Sequence, residues 1–274
     1  MMSGLIVIPA RYESSRFPGK MLASETGRTL LQHTWERAMA SGAGDVLVAT
    51  DHAEIAAVAR GFGASVRMTR ADHPNGTSRI AEVVADMDEL PPDAPVVNVQ
   101  GDEPELDPGL IEAAVGALLS RPDCMVSTLA APLDAGDDAD DSNIVKVVTD
   151  LDGRALYFSR SRVPFSRRDG RAGEATDGAA DGPAPPLRHI GLYVYRRSFL
   201  ARYAEMQPTP LEVAERLEQL RVLEHGHRIA VATVATGRHR SGIDTPEQYA
   251  AFVARWNAGS DDGAGDGAGN GNGG

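Results

Sequence analysis

The stretch IVIPARYESSRFPGK, residues 6–20, decides how the rest of the chain is read. Residues 5–8 are an apolar run too short for a helix and rich in β-branched side chains, which predicts a buried first strand. The apolar pattern then stops. Arg11, Arg16 and Lys20 follow among Ser14, Ser15, Pro18 and Gly19. A strand that runs into a loop with three cations suits a polyanion, most simply a triphosphate held by fixed positive charge, hydroxyls and backbone N–H groups. The plainer reading is a solvated basic loop, because the residues match neither the G-x-x-x-x-G-K-[ST] loop nor the G-x-G-x-x-G fingerprint. The missing glycine fingerprint also disfavours a nicotinamide-dependent dehydrogenase.

Downstream, strands and helices alternate. Thr29 is placed to cap a helix carrying Leu30, Leu31, Trp35 and Ala38, followed by a strand at 46–49. Asp51 and Glu54 have the spacing of a capping box for a helix over 52–60, and 65–69 reads as a third strand. This alternation predicts a parallel sheet with helices on its faces. Thr77 or Ser78 is the expected cap of the next helix, with Ile80, Val83, Val84 and Met87 on one face. Asn75-Gly76 ahead of it frees the backbone, and the helix start offers unpaired N–H groups. Arg79 sits in the first turn, where the helix dipole disfavours a cation, so it points to a ligand or to a salt bridge.

A second informative stretch is PVVNVQGDEP, residues 95–104. Its valines predict a central strand, and Gln100, Gly101, Asp102 and Glu103 fall at the carboxyl end, where open α/β sheets bind ligands. Asp102 is placed there to hold Mg²⁺ against phosphate oxygens, or else to cap a turn. Asp107-Pro108 starts a further helix, and 124–132 a further strand. Three strand-like segments, 143–149, 154–159 and 187–195, then come without long helices between them, and Asp152-Gly153 signals a hairpin. Arg160, Arg162, Arg167 and Arg168 between the last two either receive an acidic substrate or are exposed loop charges. Residues 169–186, rich in Gly, Ala, Asp and Pro, predict a mobile segment. Thr209-Pro-Leu-Glu212 is a capping box for one helix running to about His225. A strand at 228–234 and a helix capped by Thr245, with Tyr249, Phe252, Val253 and Trp256 inward, complete the fold; Asp244 is left free to point elsewhere.

Composition narrows the function. The net charge is −12, but eight aspartates lie in 134–141 and 258–274, and without them it is −4. That balance argues against general nucleic-acid binding. A single cysteine, Cys124, excludes an internal disulfide and a cysteine-based zinc site, and reads as a buried structural thiol. The acidic run 134–141 has no recognisable calcium-ligand spacing. No apolar run approaches the length of about 20 needed to cross a bilayer and no leader is visible, so a cytoplasmic protein without membrane partners is expected.

Taken together, IPARYESSRFPGK at 8–20, ATDH at 49–52, TRADHPNGTSRIAEV at 69–83 and VNVQGDEP at 97–104 resemble the CMP-Kdo synthetase family, the 3-deoxy-manno-octulosonate cytidylyltransferases. So do NIVKVV at 143–148, ALYFSR at 155–160, RHIGLYVYR at 188–196, TPLE at 209–212, LEQLRVL at 217–223 and GIDTPE at 242–247. The resemblance implies a Rossmann-like nucleotide-sugar transferase fold, with a mostly parallel sheet and an antiparallel excursion. It implies a single domain over 1–257: a nucleotide-binding core of 1–132 plus 228–257, and a sugar-binding and dimerisation part over 133–227. Residues 258–274 are then a disordered tail.

The same resemblance implies activation of the acidic sugar Kdo by CTP for lipopolysaccharide assembly, in a homodimer that uses Mg²⁺. Arg11, Arg16 and Lys20, with Ala10, then serve the triphosphate, and Gly76, Thr77 and Arg79 the cytidine side. Asp102 and Asp244 become the metal carboxylates, and with Lys20 and Arg11 the catalytic set. Gln100, Arg160, Arg167, His189, Tyr193, Glu218 and Gln219 become the sugar pocket. Ser78 stands where the family usually carries an acidic residue. Two other readings remain: a relative acting on sialic acid or 8-amino-Kdo, and a non-catalytic binding module.

Overall fold

The computed structural model describes residues 4–14, 16–134, 136–165, 185–235 and 242–261. β1 (Gly4–Ala10) is the strand that the opening apolar run predicts. Ile6 and Ile8 face one core and Leu5 and Val7 the other, as the two-residue repeat of a strand requires. β1 pairs in parallel with β2 (Gly44–Thr50) and β4 (Pro95–Asn98), and β2 pairs in parallel with β3 (Ser65–Met68).

Past β4 the direction changes. β8 (Leu187–Arg196) runs antiparallel between β4 and β5 (Val126–Pro132), and β9 (Ile229–Thr233) lies parallel to β5. The sheet order is β3-β2-β1-β4-β8-β5-β9. The hairpin of β6 (Lys146–Thr149) and β7 (Ala155–Ser159) joins through β8. It turns at Gly153, whose φ of +73° suits glycine.

Helices cover both faces. α1 (Leu30–Ala40), α2 (Ala53–Gly61) and α4 (Pro108–Leu119) pack on the core that holds Ile6 and Ile8. α3 (Gly76–Ala85), α5 (Arg197–Glu205) and α7 (Gln219–Glu224) pack on the core that holds Leu5 and Val7. α8 (Pro246–Asp261) lays Tyr249 and Phe252 against Leu30 and Ile243. Expected caps form: Thr29 accepts from Gln32 N–H at 3.2 Å, Asp107 from Gly109 N–H at 2.9 Å, Glu212 from Thr209 N–H at 3.2 Å and Thr245 from Gln248 N–H at 3.3 Å.

Four expectations are corrected. The Asp51 capping box is absent: His52 holds the cap position of α2 without a side-chain bond, and Asp51 turns to the Arg79 guanidinium at 3.3 Å. α3 is capped by Asn75, not by Thr77 or Ser78; Asn75 Oδ1 accepts from Ser78 N–H at 2.8 Å. Ser78, inside the first turn, returns its hydroxyl to Asn75 O at 2.9 Å. The single helix expected over 209–225 is two, α6 (Pro210–Glu215) and α7, broken at Arg216, which is left-handed at φ 53°. The last helix reaches Asp261, past the expected end at 257; the rest of the tail, 262–274, lies outside the described residues.

Candidate active site

The carboxyl end of β1 opens into the basic loop. Within it Gly19, at φ +70°, turns the chain and donates to Tyr12 O, and a single 3-10 turn, Lys20–Leu22, follows. That turn drives Lys20 inward, to 6% exposure. A buried ammonium needs its charge met. Lys20 Nζ donates to Asp102 Oδ2 at 2.5 Å, to Asp244 Oδ1 at 3.0 Å and to Ile243 O at 2.8 Å. The backbone reinforces the pairing, since Ile243 N–H donates to Asp102 O at 2.8 Å. Asp244, the more exposed carboxylate, also meets Arg16 at 2.9 Å. Gly242 packs so closely that an added Cβ would lie 3.2 Å from Asp102 Oδ1.

These groups stand at a cavity of about 560 Å³. Arg11, Arg16, Lys20, Gly76 and Thr77 line part of it, with Gln100 and Asp102. Tyr193, Tyr195 and Tyr203 form an aromatic wall, and Arg216, Leu217, Glu218 and Gln219 come from the α6–α7 break. Arg11 donates to His73 O at 2.7 Å. Burial lowers its pKa from the ordinary arginine value and the nearby Arg79 guanidinium adds to this, while Asp51 and Glu218 oppose. A guanidinium so placed gains from an arriving anion.

Glu218 is open to solvent through the cavity yet enclosed by protein. That enclosure raises its carboxyl above the ordinary value; Glu212 adds to the rise, and Arg221 and the Tyr203 hydroxyl, 3.4 Å away, oppose it. Burial likewise keeps the Tyr193, Tyr195 and Tyr203 hydroxyls protonated, as hydrogen-bond donors.

The cytidylyltransferase family matches residues 5–229. This chain belongs to that family. Its curated relatives include the 3-deoxy-manno-octulosonate cytidylyltransferase of Syntrophotalea carbinolica, 51% identical over 249 residues, covering 90% of this chain and 95% of the relative. The enzyme of the same name from Herminiimonas arsenicoxydans is 51% identical over 246 residues, covering 90% and 96%. A solved structure of CMP:2-keto-3-deoxy-manno-octonic acid synthetase complexed with CTP superimposes with a TM-score of 0.81 at 36% identity, covering 94% of this chain and 99% of that one. The α/β architecture expected from the sequence is therefore that of a cytidylyltransferase.

Of the expected site residues, Arg11, Arg16, Lys20, Gly76, Thr77, Gln100, Asp102, Tyr193, Glu218 and Gln219 line one cavity, and Asp244 joins them through Lys20 and Arg16. Others stand back from it. Ala10 is a fully buried end of β1. Arg79 is fully buried, held by Asp51 and by Thr69 Oγ1. His189 stands one ring behind Tyr193, its centroid 5.5 Å away, with Nε2 against Thr128 Oγ1 at 2.9 Å.

Arg160 is turned to the protein. Its guanidinium donates to Glu215 O at 2.7 Å and Ser142 O at 2.9 Å. Arg162 pairs with Asp140 at 3.2 Å. Arg167 and Arg168 lie outside the described residues.

Sequence reasoning passed over Asn98, Tyr195, Tyr203 and Arg216, all of which line the cavity. Two had a signal. Asn98 shares the face of Gln100, and Tyr195 that of Tyr193, by the two-residue period of a strand. Tyr203 and Arg216 had none, because tertiary packing brings α5 and the α6–α7 break to the site.

Proposed function

We propose that this chain transfers the cytidylyl group of CTP to the anomeric hydroxyl of Kdo, releasing pyrophosphate and supplying CMP-Kdo for lipopolysaccharide assembly. The observation that carries this reading is Lys20 holding Asp102 and Asp244 together beside a cavity edged by Arg11 and Arg16. In the reaction the sugar oxygen forms a bond to the α-phosphorus as its hydroxyl proton is lost to solvent, the α–β phosphoanhydride bond breaks, and pyrophosphate leaves with the electron pair. Arg11, Arg16 and Lys20 meet the charge that gathers on the departing phosphates. Gly76 and Thr77, at the start of α3, and the tyrosine wall orient the two substrates. No nucleophilic side chain is needed, since the transfer asks for charge and alignment.

Asp102 and Asp244 fit Mg²⁺. They are hard oxygen donors from two loops already converged on one cation, the Lys20 ammonium. They would hold the metal together with phosphate oxygens. When bound, Mg²⁺ would neutralise the α-phosphate and lower the pKa of the attacking hydroxyl.

The working unit is a homodimer in the cytoplasm, where CTP is made. Leu156 on β7 and Leu211 and Val213 on α6 are exposed apolar side chains that a second copy would cover. Light scattering of the protein and of Leu156→Asp checks this; a parent that stays monomeric sinks it.

Purified protein with CTP, Mg²⁺ and either Kdo, 8-amino-Kdo or a sialic acid, followed by pyrophosphate release, tests the activity. Turnover with Kdo above the others is expected. CTP binding without turnover, or a preference for sialic acid, overturns the proposal.

A further inference from the structure

The break between α6 and α7 puts a cation on the cavity wall that the triphosphate loop does not use. Arg216 lines the cavity and is exposed. Among the described residues its side chain has no ion pair and no hydrogen bond. Its backbone carbonyl is approached by the Arg160 guanidinium at 3.5 Å. Arg216 is also the one non-glycine with positive φ among the described residues, at φ 53° and ψ 49°. Glycine or asparagine fills such a position with less strain, so a long cationic side chain kept there points to a use for the side chain itself.

Among the described residues the neighbouring wall supplies no other cation. Gln100, Tyr193 and Gln219 are neutral and Glu218 is acidic, while Arg11, Arg16 and Lys20 belong to the loop that faces phosphates. Arg160, expected from the sequence to meet the sugar, is engaged on the carbonyls of Glu215 and Ser142. A sugar acid entering beside Glu218 brings a carboxylate that needs a counter-charge of its own.

We propose that Arg216 pairs with the carboxylate of the acidic sugar and sets the preference for a sugar acid over its uncharged counterpart. This rests on the sugar-activating reading above, which pyrophosphate release by the unaltered protein from CTP and Kdo tests separately. The experiment compares Arg216→Gly, Arg216→Gln and Arg216→Lys with the unaltered protein. It measures kcat and KM for Kdo, for Kdo methyl ester and for CTP.

The glycine and glutamine variants should each raise the KM for Kdo about tenfold, the scale of one charge-assisted pair, and shrink the acid-over-ester preference by a similar factor. The KM for CTP should stay put. Lysine should restore most of the loss, and glycine, free of strain at this φ, should melt no lower than the unaltered protein. An acid-over-ester ratio in Arg216→Gln within about twofold of the original overturns the proposal. So does a KM that rises equally for acid and ester, because that marks a merely structural residue.

Discussion

The Lys20 ammonium stands 2.5 Å from the Asp102 carboxylate and, through its third bond at 3.0 Å, keeps Asp244 within the same reach. Three segments far apart in the chain are thereby tied at one point before any substrate arrives. Asp102→Asn leaves Lys20 bonded to Asp244 and Ile243, so the fold should persist. Turnover should fall about a hundredfold or more if Asp102 is the metal carboxylate proposed above. Chelation should abolish pyrophosphate release from the unaltered protein, and added Mg²⁺ should restore it. Near-normal turnover of Asp102→Asn with an unchanged melting temperature would remove the metal role.

Arg79 is a fully buried guanidinium paired with Asp51 at 3.3 Å. Arg79→Met strands the Asp51 carboxylate and should cost about 3 kcal/mol, because breaking one side of a buried pair leaves an uncompensated charge. Adding Asp51→Val should recover much of that loss. Urea unfolding of the two single variants and the double variant measures the coupling; strictly additive losses would show that the pair does not act as one unit.

Arg160 ties the end of β7 to the chain at Glu215 and to Ser142. Its removal in Arg160→Ala should destabilise by about 1–3 kcal/mol. It should also raise the KM for Kdo while leaving that for CTP alone, because the α6–α7 break loses its brace. Lysine should rescue poorly, having no planar fork to reach two carbonyls. Melting curves beside steady-state kinetics decide it: altered kinetics with full stability would mean that Arg160 instead meets the sugar directly.

His33 is buried between α1 and α8, edge-on to Phe252 and Trp256, with Nε2 2.7 Å from Thr26 Oγ1. Burial pushes its pKa below 6.5; Arg28 adds to this and Glu36 opposes. The unfolded chain therefore takes up the proton first. Stability from neutral His33 is complete above pH 6.5 and is lost as the pH falls towards the depressed folded value. Inside that window the loss should reach up to about 1.4 kcal/mol per pH unit. Urea unfolding between about pH 5 and 7.5 should show this slope, and His33→Gln should flatten it. An equal slope in both proteins would place the proton uptake elsewhere.

The parts of the site set by local chemistry were legible in the sequence. The run at 5–8 is a strand, and Asp102 falls just past the next central one, because hydrophobic repeat and turn residues act over short range. The caps at Thr29 and Asp107 follow for the same reason. What the sequence hid depends on distant partners. Asp51 looks like a helix cap until Arg79 arrives beside it. The glutamates at 212, 215 and 218 look like one helix face. Instead Arg221 takes Glu212, Ser159 and Arg160 take Glu215, and the chain breaks so that Glu218 enters the cavity. Helix propensity cannot foresee a break that tertiary bonds stabilise.

The position of β8 has an implication for how the molecule is assembled. Strands β4 and β5 both precede it in the chain, yet it fills the slot between them. A polypeptide ending at residue 132 would hold two strands one width apart with nothing to bridge them. The first 132 residues alone therefore cannot complete this sheet, and synthesis must pass Arg196 before the gap can close.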